Sequence, residues 1–148
     1  MTIEDNKQVV RKFCDAMNAH DAKGATDCWA TDPINHGKQI KRQDIGMLLG
    51  EIVQIHEHYE IMEMVAEGDW VACRIVVSGR HKIRPSIPFD GGIYQIKEAE
   101  GLPFTSQHIH LFRIVDGRIK EHWATRDDLG AARQLGLELV PVKGPKAT

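Results

Sequence analysis

Gln107 to Gly136 read QHIHLFRIVDGRIKEHWATRDDLGAARQLG. Two alternating runs flank Asp116-Gly117, and a short helical pattern follows. Asp-Gly between such runs is a hairpin signal, because both central residues of a type I′ turn take positive φ. A two-residue loop pairs Val115 with Arg118 and Ile114 with Ile119. It then sets Arg113 against Lys120, His110 against Trp123 and His108 against Thr125. Side chains return to one face every second residue. His108, His110, Phe112 and Ile114 are therefore expected on one face with Ile119, Glu121, Trp123, Thr125 and Asp127. Ile109, Leu111 and Arg113 fall on the other with Lys120, His122 and Ala124. A three-residue loop, Val115-Asp116-Gly117, would instead set Arg113 against Ile119, a poorer match.

Upstream the pattern is helical. Thr2 reads as an N-cap with acidic residues in the first turn, and Val9, Val10, Phe13 and Met17 give Asn6 to Asn18 one buried stripe. Asp21 caps a second helix, with Ala22, Ala25, Cys28 and Trp29 on its apolar side and Pro33 ending it. Ile34-Asn35-His36-Gly37 follows as a short extended piece. A third helix is expected over about Gln43 to Gln54. The period then changes to two. His58 to Ala66 and Trp70 to Gly79 are strands around Glu67-Gly68-Asp69. Residues 80–105 read as a strand extension, a loop and a short strand from Gly92 to Ile96; a loop of this size is often a lid or an interface arm. Asp127 or Asp128 caps a last helix that ends at Gly136. Helices first and antiparallel strands after predict an α+β domain, with a curved, mostly antiparallel sheet wrapped over N-terminal helices as a cone. The open end of such a cone is a natural ligand pocket.

Composition narrows the partners. The 148 residues suit one domain, 1–148, with 42% hydrophobic and 27% charged residues, and a net charge of −2 gives no footprint for nucleic acid. No apolar run approaches the roughly 20 residues that span a bilayer, and the amino terminus is not a signal peptide. Three widely spaced cysteines without a CxxC predict reduced thiols and a cytoplasmic setting. A Gly-rich phosphate loop, a nucleophile elbow and HExxH are all missing, so nucleotide cofactors have no support.

The chemistry is concentrated in the hairpin. Asp127 ends the last strand. Buried beside an indole, its pKa would rise from about 3.9 and suit it to take a carbon-bound proton next to a carbonyl. As an N-cap it would accept amide hydrogens instead. His108 and His110 could polarise a substrate carbonyl. Their HxH spacing could also serve a metal, but no further ligands follow at a telling spacing, and no metal is expected. His36, Phe112, Trp123 and Thr125 are expected to line the cavity. His56 and His58, beside Glu57 and Glu60, look solvated. Arg74 and Arg113 suit salt bridges at a sheet-to-sheet dimer contact. Cys14 and Cys28 read as core.

The segment from Phe112 to Gly136 resembles the SnoaL-like polyketide cyclase family of the NTF2-like superfamily. An arginine, an Asp-Gly turn, Glu-His-Trp, an aspartate four residues after the tryptophan and a closing Gln-Leu-Gly carry the likeness. Val65 to Gly79 and Asn35-His36-Gly37 are similar as well. The resemblance implies an α+β cone, a homodimer, and no metal or organic cofactor. It also implies intramolecular aldol ring closure, with Asp127 as the base and His108 or His110 beside it. Arg80 to Thr105 departs from the family's Gly-rich loop, which leaves the substrate open. The expected function is a cofactor-free cyclase or isomerase of a small carbonyl compound of the polyketide type. The alternatives are a non-catalytic small-molecule-binding dimer module, and a hydrolase or dehydratase in which Asp127 activates water.

Overall fold

Thr2 starts the first helix, α1 (Ile3–Asn18), by a reciprocal cap: its N–H donates to Asp5 at 2.7 Å and its hydroxyl accepts the Asp5 N–H at 3.1 Å. Asp21 caps α2 (Ala22–Asp27) through the Gly24 N–H at 2.8 Å. This helix is shorter than the sequence predicts. Trp29 opens strand β1 (Trp29–Asn35) instead of extending α2, and Pro33 lies inside the strand. The β1 ladder shifts register between Trp29 and Ile34, so no ladder bond is required of the missing proline N–H. His36 and Gly37, at φ 51° and 76°, turn the chain into β2 (Lys38–Gln39). Next come α3 (Arg42–Ile52), β3 (His56–Glu67) and β4 (Trp70–Arg80), with Gly68 at φ 55° in the turn between the two strands. β5 (Pro103–Val115), β6 (Arg118–Arg126) and α4 (Asp128–Gln134) follow a short 3₁₀ turn at Lys97–Ala99.

The computed structural model describes residues 1–83 and 96–138, with Val140, Pro141 and Gly144 beyond them. The strand expected over Gly92 to Ile96, and the loop before it, lie almost wholly outside the described residues. His81 is fully buried where that segment leaves β4. Its imidazole Nε2 lies 2.8 Å from the Ile96 carbonyl, which ties the two ends of the segment together.

The strands form one open sheet in the order β2-β1-β6-β5-β4-β3. β1 runs parallel to β6 and every other pair is antiparallel. The helices cover the inner face, so the α+β expectation holds. Val10, Phe13 and Met17 of α1 and Ile45 and Leu49 of α3 pack on Val71, Cys73, Ile75, Val77, Phe112, Ile114 and Ile119 of the sheet. Fully burying such a side chain contributes about 1.5–3 kcal/mol. A second, smaller cluster joins Ile55, Ala99, Phe104, Ala131 and Leu135, which docks α4 at the far end. No helix among the described residues is long and apolar enough to cross a membrane.

The hairpin differs from its uninterrupted form. Val115 pairs with Arg118 and Ile114 with Ile119, as the two-residue turn requires. The register then slips by one residue: Arg113 faces Glu121, Phe112 faces His122, Leu111 faces Trp123 and His108 faces Arg126. Lys120 is the extra residue of a β-bulge. Its ammonium leaves the ladder and bonds the Asp32 carboxylate at 2.8 Å. The slip exchanges the faces of everything after it. His122 joins His108 and His110, while Trp123 and Thr125 turn to the outer face.

Candidate functional site

Along β5, Phe104, Ser106, His108, His110, Phe112 and Ile114 are buried in strict alternation. Phe112 and Ile114 belong to the large core cluster and Phe104 to the small one. Ser106, His108 and His110 therefore form a polar band between two apolar clusters. β4 faces the band with Val77, Ile75 and Cys73, and β6 with Arg126 opposite His108 and Ala124 opposite His110.

The imidazoles form a row. His108 Nδ1 lies 3.2 Å from His110 Nε2, His110 Nδ1 lies 2.9 Å from His122 Nε2, and His122 Nδ1 lies 2.8 Å from Asn35 Oδ1. The His108 and His110 rings stack with centroids 5.4 Å apart, and those of His110 and His122 with centroids 5.2 Å apart. His108 is 3% exposed, and its Nε2 has no hydrogen-bond partner among the described residues. Beside it, His56 Nδ1 lies 2.5 Å from the Tyr59 hydroxyl.

Burial dominates the electrostatics, because an imidazolium loses its hydration there. Burial first and the Arg126 charge second lower His108 to a pKa of about 4. Burial, then His36 and His108, lower His122 to about 3. His110 is lowered well below its ordinary value, by burial first and then by His122, His108, His56 and Arg126. His36 is lowered by burial and then by Arg126. The row is thus neutral at pH 7: bases and hydrogen-bond groups, not cations.

The predicted site residues separate. His108 and His110 meet on the inner face. Phe112 is fully buried, stacked on His110 at 5.6 Å and edge-on to Phe13 at 5.9 Å, so it is core and not cavity wall. His36 touches His122 and Trp123, with ring centroids 5.6 and 6.0 Å apart. Trp123 is 42% exposed on the outer face and gives its indole N–H to Glu121 at 2.9 Å; Thr125 is exposed on the same face. The indole therefore does not bury Asp127. Asp127 is exposed and caps α4, accepting the Gly130 N–H at 2.8 Å. Its backbone N–H donates to the Gln107 carbonyl, which fixes its backbone beside the His108 end of the band.

His56, expected to be solvated, is buried; a register shift between His56 and His58 puts it in phase with Tyr59. Arg74 makes paired bonds to Glu63 at 2.6 and 2.9 Å, and Arg113 lies 3.9 Å from Asp69, so both have partners within the chain. Cys14, Cys28 and Cys73 are buried and free. Among the described residues, no group of three or more His, Cys, Asp or Glu side chains could hold a metal ion. Two surface depressions, of about 240 Å³ beside Lys12 and Arg118 and about 190 Å³ beside Asn6 and Asp116, lie at the opposite, turn end of the sheet.

The site residues not foreseen are His122, Asn35, Arg126, His56 and Tyr59. One signal was available for His122. The unbroken register puts Arg113 against Lys120, two like charges directly opposed. A bulge at Lys120 replaces that pair by Arg113 and Glu121 and brings His122 inward.

The chain belongs to the SnoaL-like polyketide cyclase family, whose sequence profile matches residues 7–135. It is similar to aklanonic acid methyl ester cyclase DnrD of Streptomyces peucetius, with 38% identity over 79 residues, 53% of this chain and 48% of that protein. It is also similar to the nogalonic acid methyl ester cyclase of Streptomyces nogalater, with 29% identity over 70% of this chain and 72% of that one. The match thus spans about half the length of the first relative and nearly three quarters of the second. In three dimensions the chain resembles AclR of Streptomyces galilaeus, with a TM-score of 0.73 at 21% identity over 91% of this chain and 98% of that one. The fold is the NTF2-like, ketosteroid isomerase-like fold.

Proposed function

We propose that the chain is a cofactor-free enzyme that removes a carbon-bound proton from a small carbonyl compound of the polyketide type, leading to intramolecular aldol ring closure or isomerisation. The observation that carries this reading is the row of neutral, buried and half-buried imidazoles, which ends in one ring nitrogen that has no partner among the described residues, between two apolar clusters. A dry pocket with a few fixed polar groups suits enolate chemistry, which needs one base and a stabilised oxyanion. Asp127, held beside the His108 end of the band, is the base. Its cap bond uses one carboxylate oxygen, Oδ1. Arg126, opposite His108, supplies positive charge toward the enolate oxygen. His110 has both ring nitrogens engaged within the row, so of the two strand histidines His108 is the one that meets the substrate. His36 borders the row at its Asn35 end.

The outer face supports a homodimer. Ile109, Leu111 and Trp123 are exposed together there, around the Arg74–Glu63 pair. The three buried thiols fit a reducing, cytoplasmic setting.

Asp127→Asn tests the reaction, since asparagine is an equally good cap and spares the fold. Turnover of β-dicarbonyl and polyketide-like substrates is expected to vanish while the unfolding midpoint stays unchanged. An Asp127→Asn enzyme as active as the parent ends this mechanism.

A further inference from the structure

The row of imidazoles has a direction. An amide oxygen only accepts hydrogen bonds, and a neutral imidazole has one N–H and one bare nitrogen. Asn35 Oδ1, 2.8 Å from His122 Nδ1, therefore places the His122 proton on Nδ1. His122 Nε2 is then bare and must accept, so the proton of His110 lies on Nδ1, across the 2.9 Å contact. His110 Nε2 is bare in turn, and across 3.2 Å it accepts from His108 Nδ1. The proton of His108 is committed to that bond. Its Nε2 carries an unshared pair, is buried, and meets no donor among the described residues.

We infer that Asn35, through His122 and His110, fixes the tautomer of His108, so that the site presents a hydrogen-bond acceptor and takes a ligand hydroxyl or enol there, not a carbonyl oxygen. The inference rests on the reading of the His108 end as the substrate site, and it adds the functional group the substrate must carry. An unmet acceptor in a buried band costs free energy that a donor of the ligand recovers. A carbonyl oxygen at the same point would set two lone pairs against each other. The charged and titratable neighbours are compatible with this. Arg126 from β6 disfavours a second proton on His108, and His56 and Tyr59 from β3 are bonded to each other. Asn35 and His122 are positioning residues, since they act through His110 and His108.

The test is ¹⁵N NMR of the histidine rings in the full chain, with His108 assigned by His108→Gln. The expected result is an unprotonated Nε2 and a protonated Nδ1 for His108. Asn35→Asp keeps the acceptor and is expected to keep this tautomer. Asn35→Leu removes it and is expected to give a mixture of both tautomers. 1-Naphthol and 1-methoxynaphthalene then serve as matched probes. The naphthol is expected to shift the His108 Nε2 signal and to bind about tenfold more tightly than the ether, the worth of one hydrogen bond. A wild-type His108 with its proton on Nε2 overturns the inference. So does equal affinity for the two probes, or binding of neither. The tautomer is read without turnover, so a fully active Asp127→Asn bears on the reaction alone, and a reversed tautomer bears on the relay alone.

Discussion

His122 stands opposite Phe112 across the β5–β6 pair, with ring centroids 4.9 Å apart. The Lys120 bulge alone makes them partners. His122→Phe would keep the ring packing and remove the hydrogen bonds, leaving His110 Nδ1 and Asn35 Oδ1 unmatched. The expected loss is about 1–3 kcal/mol, read as a lower urea midpoint with an unchanged slope. A variant as stable as the parent would show that the row contributes packing only.

Stability should fall as soon as acidification takes the pH below 6.5. The folded pKa of His108, about 4, and of His122, about 3, lie below the ordinary 6.5. Between those limits the unfolded chain binds more protons, so stability is full above pH 6.5, declines as pH falls, and levels off below the folded values. For His108 alone, at 1.36 kcal/mol per pH unit, the decline is roughly 3 kcal/mol. The lowered carboxylates Asp32 and Glu63 behave differently: their contributions, from Lys120 and Arg74 hydrogen bonds, are present above 3.8 and 4.5 and are lost only below. The interval from pH 6.5 to 4.5 therefore belongs to the histidines. Urea melts across it should show the decline, and His108→Gln should flatten it. A flat parent profile would contradict the buried, neutral row.

Two matched substitutions separate capping from chemistry at Asp127. A Cβ at Gly130 would lie 2.2 Å from Asp127 Oδ2, and a Cβ at Gly24 would lie 2.2 Å from Asp21 Oδ2. Gly130→Ala and Gly24→Ala should each displace a capping carboxylate and cost about 1 kcal/mol. Only Gly130→Ala should also lower kcat/KM. Equal activity of the two variants would mean that Asp127 is a cap and nothing more.

Ile109 on the outer face is 51% exposed, beside Leu111 and Trp123. Ile109→Asp should leave the fold intact within about 0.5 kcal/mol, as exposed substitutions do. Burying a charge at a sheet-to-sheet contact should shift the chain from dimer to monomer in sedimentation equilibrium. A parent chain that is monomeric at micromolar concentration would remove this interface.

Much of the frame was legible from local signals. Thr2 and Asp5, and Asp21 and Gly24, are caps that the sequence announces, because each bond closes within three residues; between Asp127 and Asp128 only the structure chose Asp127. The Asp116-Gly117 turn and the two strand pairs follow from alternation and the demands of positive φ. What alternation cannot see is a change of phase. One bulged residue at Lys120 sent Trp123 and Thr125 outward, and a shift after His56 sent that histidine inward. In each case the sequence period stays near two, and only the partner strand decides which phase is buried. Trp29 and Pro33 were misplaced for a related reason: β1 is short and irregular, and it exists because β6 is there to pair with it.

The sequence by itself determined the helices, the four long strands and their order, the family and the two histidines on β5, since these depend on neighbours along the chain. The tertiary structure decided which side chains those histidines meet. Asn35 lies 87 residues from His122 along the chain, and Arg126 reaches His108 only across the hairpin. Their contacts are set by strand register, and register is fixed by burying one face of the whole sheet against the helices.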